Sequence, residues 1–340
     1  MAGPVSWAES GPCPVADGVF RLPLPIPDPA LRATNVYVVE DADGVVLIDG
    51  GWADPVCHRA LVDGLAAIGH CLADISAVHV THSHLDHYSL AIQLRHELGL
   101  SVTLGRGEED SLAVAAENRD DLIQTAQLHR YGQGEECEEF ERGLRRPDLP
   151  FHLAWEPPDR WLDGGEKLDL GALRLDVVDM PGHTRGSLVF RDDAAGVLFS
   201  GDSVLPHITP SVGFESLPEE LPLGSYLHSL QQLLAQPDAT LLPAHGEVLA
   251  STHGRVKELL RHHDERLERT LNAVRAGART GREVASTLPW TRRKLHLDDL
   301  DIVHRGLAVI EIGSHLDVLV DRGALSAVDE DGGVRHYSHS

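Results

Sequence analysis

The chain has 340 residues with 29 Lys and Arg against 53 Asp and Glu, a formal net charge of −24, and 42% hydrophobic residues. That make-up suits a globular protein with room for one large domain and a smaller one, and the absence of any apolar run of about eighteen residues excludes a membrane-spanning helix. The four cysteines, Cys13, Cys57, Cys71 and Cys137, lack CxxC spacing, which argues against a disulfide framework or a thiolate zinc site. With a start at Met1–Pro14 that has neither basic residues nor an apolar stretch, a cytoplasmic location is expected.

Short β-type runs come first, at Gly18–Leu22, Asn35–Glu40 and Val45–Asp49, the last closed by the turn signal Asp49-Gly50-Gly51. Pro55–Ile68 carries Val56, Leu61, Leu65 and Ile68 near helical spacing, Ser76–Thr81 reads as a buried strand, and Tyr88–Leu98 as helix. The charged stretch 108–146 has no strand signal and is expected to be a helical insertion, either capping a cleft or standing as solvated helices. Strands resume at Leu173–Asp179, Ser187–Arg191, Val197–Ser200 and Thr240–Leu242, with a helix at Tyr226–Leu234. This order predicts a mixed sheet with helices packed outside it.

Beyond residue 252 the pattern changes. A long helix at His253–Gly277, a short one opened by the capping-box spacing of Thr280 and Glu283, and a third at Leu300–Val320 precede a hairpin at Ser326–Tyr337. Three helices and a hairpin form a winged-helix pattern, so residues 1–252 and 253–340 are expected to be separate domains. From Gly254 onward 14 basic residues balance 14 acidic ones, so the first 253 residues carry the whole negative charge. A surface that acidic disfavours nucleic acid as a partner and favours a small molecule.

The chemistry concentrates in Thr81-His82-Ser83-His84-Leu85-Asp86-His87, directly after a strand. Three imidazoles and a carboxylate in six residues are costly to bury without partners, and a borderline divalent metal such as zinc is the natural one. His82 and His84 can be aimed at one ion, with Asp86 and His87, further round the loop, reaching a second. More ligand-type residues follow at three other strand ends: Pro181-Gly182-His183-Thr184, Gly201-Asp202 and Pro243-Ala244-His245-Gly246.

The motifs HxHxDH, PGHT, GD and PAHG, in that order over residues 17 to 250, resemble the metallo-β-lactamase superfamily. The resemblance implies an α/β fold, a four-layer αββα sandwich, with His82, His84 and His183 on one metal, Asp86, His87 and His245 on the other, and Asp202 bridging. Leu288–Arg293 and Leu205–Pro210 are similar to one branch, the β-lactamase-like hydrolases with a C-terminal winged helix. The implied cofactors are two divalent ions, Zn²⁺ first, with iron or manganese as alternatives. Two such cations about 3.5–4 Å apart lower the pKa of a shared water towards ~7 and make it a nucleophile, with Asp86 positioned to orient it or take its proton.

These features predict a hydrolase of a small-molecule thioester, ester or lactone. The alternatives are a metal-dependent ribonuclease and a non-catalytic binding or regulatory protein. Arg185 either holds a substrate anion or forms a surface ion pair, His207 faces the cleft or is an ordinary loop residue, and Tyr226 lines the pocket or packs in the core. His262 and His263 read as a solvated pair on a charged helix, and His336 and His339 carry no role. The basic run Arg292-Arg293-Lys294 is followed at once by Asp298, Asp299 and Asp301, so structural support or homodimerisation is favoured over DNA reading.

Overall fold

The computed structural model describes residues 6–9, 11–27, 31–42, 44–117, 123–144, 155–291, 293–330 and 332–339. Residues 118–122 and 145–146 of the helical insertion, and Arg292, therefore lie outside the described residues. Two sheets stack face to face. The first runs in chain order through β1 (Cys13–Ala16), β2 (Val19–Pro25), β3 (Ala33–Asp41), β4 (Gly44–Ile48), β5 (Ile75–His79), β6 (Ser101–Gly105) and β7 (Arg160–Leu162). Strands β1 to β4 pair antiparallel. From β4 to β7 the pairing is parallel, because each strand returns through a helical crossover. The crossovers are α1 (Pro55–Ala67), α2 (Leu85–Leu98) and the insertion helices α3 (Glu109–Glu117), α4 (Ile123–Arg130) and α5 (Cys137–Leu144).

The second sheet has the order β12-β11-β10-β9-β8, built from β8 (Lys167–Leu170), β9 (Leu173–Asp179), β10 (Leu188–Asp192), β11 (Val197–Gly201) and β12 (Thr240–Pro243). Only β11 and β12 are parallel, joined through α6 (Pro222–Ala235).

Alternation along the strands sets the layers. In β3, Val36 and Val38 face one way, into a cluster with Leu61 and Leu65 of α1 and Leu90 and Leu94 of α2. Tyr37 and Val39 face the other way and meet Phe190, Val197 and Phe199 of the second sheet. The outer face of that sheet, including Val189, Leu198 and Leu241, is covered by Leu227 and Leu230 of α6 and by the C-terminal helices. The result is the helix–sheet–sheet–helix sandwich that the motifs implied.

The C-terminal segment comprises α7 (Thr252–Arg275), α8 (Gly281–Thr287), α9 (Ile302–Asp321) and the hairpin β13 (Leu325–Asp329) and β14 (Arg335–His339). Helix α9 also packs on the insertion. Tyr131 and Phe140 share its apolar cluster, Tyr131 donates to Asp317 Oδ2 at 2.8 Å, and Arg305 pairs with Glu136 at 3.1 Å. The insertion helices are thus docked on one side rather than standing free in solvent.

Three differences from the sequence reading bear on the site. Helix α2 starts at Leu85, three residues earlier than expected, with His84 as an extended N-cap and Asp86 in the first turn. Asp86 and His87 therefore project from a helix rather than from a loop, and a carboxylate there is favoured by the helix N-terminus. Strands β1, β6, β7 and β8 are absent from the sequence reading. His263, expected on a solvated face, is 1% exposed. It continues the stripe of Val256, Leu259, Leu267 and Val274 that α7 buries, a slot that helical periodicity defines and the charged neighbours disguise.

Candidate metal centre

All seven predicted ligands converge at one edge of the two sheets. The segment after β5 carries His82 and His84, the first turn of α2 carries Asp86 and His87, the β9–β10 turn carries His183, and the loops after β11 and β12 carry Asp202 and His245. They form two groups, His82 with His84, His183 and Asp202, and Asp86 with His87 and His245, and within each group the donor atoms lie within 4.8 Å of one another. His84 is half-buried and the other six are buried.

Glycines let the turns close this tightly. A Cβ on Gly182, at φ +131°, would lie 2.4 Å from Cβ of Tyr226, and one on Gly201, at φ +50°, would lie 2.5 Å from Oγ1 of Thr81. Only glycine permits both the conformation and the approach. Tyr226 itself is fully buried and donates its hydroxyl to Ser203 O at 3.0 Å. It is a core residue that braces the His183 turn against the residue after Asp202.

In every histidine the outer nitrogen has a partner that fixes the ring. Nδ1–H of His183 donates to Ser211 O at 2.7 Å, that of His245 to Ala33 O at 2.8 Å, and that of His87 to Asp49 Oδ2 at 2.9 Å. Nε2–H of His84 donates to Phe214 O at 2.8 Å. His82 Nδ1–H reaches Thr81 Oγ1 at 3.1 Å, and that hydroxyl donates in turn to Asp49. Carbonyl and carboxylate oxygens can only accept, so each neutral ring turns a lone pair inward. His183 Nε2 lies 3.1 Å from both His82 Nε2 and His84 Nδ1, lone pairs that only a cation can reconcile.

Asp202 spans the two groups. Its Oδ2 lies 3.7 Å from His183 Nε2, while its Oδ1 lies 3.3 Å from His245 Nε2 and 3.6 Å from His87 Nε2. Asp86 Oδ2 is 3.2 Å from His245 Nε2 and accepts from Thr34 Oγ1 at 3.1 Å. His87 Nε2, His245 Nε2 and Asp202 Oδ1 are buried with no hydrogen-bond partner. Orphaned atoms of these types, gathered in one place, are what a divalent cation with nitrogen and oxygen ligands requires. The residues fit the metals that the motifs implied.

Electrostatics separates the groups. Burial, reinforced by neighbouring imidazoles, lowers His82 well below its ordinary pKa, and burial and His84 lower His183 to about 4. Burial pushes His87 and His245 the same way, but facing carboxylates outweigh it, raising His87 to about 9 and His245 well above its usual value. Burial would raise Asp86 and Asp202, yet His87 and His245 hold both far below the carboxylate range. A proton and a cation compete for the second group.

Asp49 and Glu108 had no assigned role in the sequence. Asp49 adopts φ +64°, a conformation that aspartate tolerates better than most residues, and accepts from Thr81 N at 2.8 Å besides serving His87 and His82. Its signal was its place at a strand end before two glycines. Glu108, fully buried, accepts from Ser83 and Thr184, neighbours of three predicted ligands. Burial raises its pKa, and burial and Glu108 together push Glu215 up to about 8. Nothing in the acidic run Glu108-Glu109-Asp110 singled it out. Arg185 places Nη2 3.8 Å from Asp110 and donates its backbone N–H to Glu215 at 2.7 Å, so its contacts are those of a rim ion pair. His207 is exposed on the loop after Asp202.

A family model described as the metallo-beta-lactamase superfamily matches residues 29–245. The chain belongs to the metallo-β-lactamase superfamily. Its fold is similar over nearly the full length to a metallo-beta-lactamase family protein from Thermus thermophilus, with a TM-score of 0.75, 28% identity, and 95% of this chain and 99% of that one covered. A hydroxyacylglutathione hydrolase of Aeromonas hydrophila is 26% identical over 214 residues, covering 63% of this chain and 61% of the relative. An atrochrysone carboxyl ACP thioesterase of Paecilomyces divaricatus is 31% identical over 131 residues, 38% of this chain and 39% of that one. The chain thus spans less than two thirds of these curated relatives.

Proposed function

We propose that this protein hydrolyses a thioester, ester or lactone bond of a small molecule, using two divalent cations, zinc first among them. The observation that carries this reading is Asp202, whose two oxygens face different donor groups. Two such cations supply a Lewis acid and an activated water at neutral pH. The chain's own residues do the rest. The five histidines are locked by their outer hydrogen bonds, so the donors need no rearrangement. Asp86, steadied by Thr34, holds its carboxylate at the second group, where it can orient a water or take its proton. Ser83 and Thr184, anchored on Glu108, fix the turns that present His82, His84 and His183.

A hydrolase and a thioesterase among the relatives support a carbonyl-centred bond, and the net charge of −24 favours a small substrate over a polyanion. The test pairs elemental analysis with hydrolysis of acyl-CoA thioesters, lactones and short RNA, with and without chelator. Two metals per chain and chelator-sensitive thioester, ester or lactone turnover are expected. RNA cleavage alone would replace the reading with a nuclease. A folded chain that takes up no metal would overturn it.

A further inference from the structure

A cavity of about 250 Å³ lies between α7, α9 and the loop of residues 209–214. Its wall is largely apolar, with Val212, Phe214, Trp290, Leu300, Leu307 and Ile310. Two of its lining residues belong equally to the metal centre, since Ser211 O holds His183 and Phe214 O holds His84. The cavity and the first donor group therefore share one wall.

Its polar lining is unusual. His263 and His315 are each 1% exposed. His315 Nδ1–H donates to Glu311 O at 2.7 Å, which leaves His315 Nε2 as an acceptor. His263 Nδ1 lies 3.1 Å from that nitrogen and must be its donor. The relay fixes both tautomers and ends on His263 Nε2, a lone pair with no hydrogen-bond partner. Burial and neighbouring positive charge lower both rings, so neither carries a second proton that would reverse the polarity. Glu311 adds a second acceptor, facing Arg266 at 3.4 Å, while that guanidinium stacks 4.6 Å above Trp290. A buried lone pair in an apolar wall is costly unless something donates to it.

We propose that this cavity seats the end of the substrate remote from the cleaved bond. That end is an apolar group carrying an O–H or N–H that donates to His263 Nε2. The subsite assignment rests on the hydrolase reading above. The volume agrees with it, because 250 Å³ falls below the about 300–1,000 Å³ of sites that enclose a whole small molecule. The cavity suits part of a ligand whose remainder extends past the shared wall.

The test uses the full zinc-loaded chain with two probes, 1-hexanol and its methyl ether, which differ in the donor. Wild type is expected to bind the alcohol at least about tenfold more tightly, since a buried acceptor left unpaired discriminates strongly. His263→Phe, which keeps the volume filled, should bring the two probes within about twofold. Should that variant not fold, the ¹⁵N shift of His263 Nε2 in wild type is the readout, and it should move with the alcohol and not with the ether. Equal affinities in wild type, a preference that survives His263→Phe, or an unmoved nitrogen would overturn the cavity assignment. If turnover is found, 1-hexanol should raise KM and leave kcat unchanged. Binding with preference but without competition would overturn the subsite role. The binding measurements require no turnover, so they stand or fall separately from the hydrolase reading.

Discussion

His82, His84 and His183 meet around a single carboxylate, whereas Nε2 of His87 and Nε2 of His245 each face two. The first group is held from outside largely by main-chain carbonyls of one long loop, at Ser211 and Phe214. The second is held by Asp49, the residue that follows β4, and by Ala33 at the start of β3, both tied to the first sheet. Two donor groups in one cleft can thus select a cation by unlike means. The first group is a geometric trap of converging lone pairs, and its quality depends on where a loop sits. The second is an electrostatic sink, and its occupancy depends on competition with protons.

The heaviest loss should come from removing what the groups share. Asp202→Ala should strip metal from both and reduce turnover well beyond the about 10–100-fold that follows loss of an orienting partner. Elemental analysis and steady-state rates check this, and a variant that keeps both metals breaks the shared assignment. Next is Asp49→Asn, which preserves an acceptor for Thr81 but replaces the oxygen facing His87. It should weaken the second metal about 10–100-fold and spare the first, as read by titration against a competing chelator.

The third prediction uses protons. His87, at about 9, is charged at neutral pH, while His183, at about 4, is not. Zinc entering the second group at pH 7 should therefore release protons, and its affinity should rise with pH up to about 9. Zinc entering the first should release none. Calorimetry in buffers of different ionisation enthalpy separates the two events, and equal release from both would erase the contrast.

The mildest change concerns the loop beside the first group. Glu215 has its folded pKa raised to about 8, so its neutral form is the one that folding favours. The associated stability is complete below the ordinary carboxyl value and is lost as pH rises through about 8. Glu215→Gln should leave the melting midpoint unchanged near pH 4 and raise it by a few degrees at pH 9, at about 2–4 °C per kcal/mol. An identical shift at both pH values would mean that Glu215 is not the group responsible.

The ligand-type residues were legible in the sequence as three imidazoles and a carboxylate clustered after one strand, and as His183, Asp202 and His245 beside glycine at three other strand ends. The sandwich was legible through its strand order and the four motifs. The groups that orient the ligands were not. Ala33, Ser211 and Phe214 act through carbonyls, which every residue possesses, so no side chain announces them. Asp49 looked like a turn former, and Glu108 was one acid among three. His263 was disguised by charged neighbours on α7, and only the packing of α9 shows that its face is internal.

Asn35 of β3 donates its side-chain amide to Pro243 O and Gly246 O, both at 2.9 Å, and Tyr37 donates its hydroxyl to Pro243 O at 2.8 Å. These bonds clasp the first sheet to the turn that bears His245, joining segments 208 residues apart in the chain. The loop-closure entropy of uniting them, about (3/2)RT ln n, is offset in part by these three bonds. Loading then becomes a question of access and desolvation, with arrival rather than assembly setting its pace, and a chain stripped of metal should refill without having to refold.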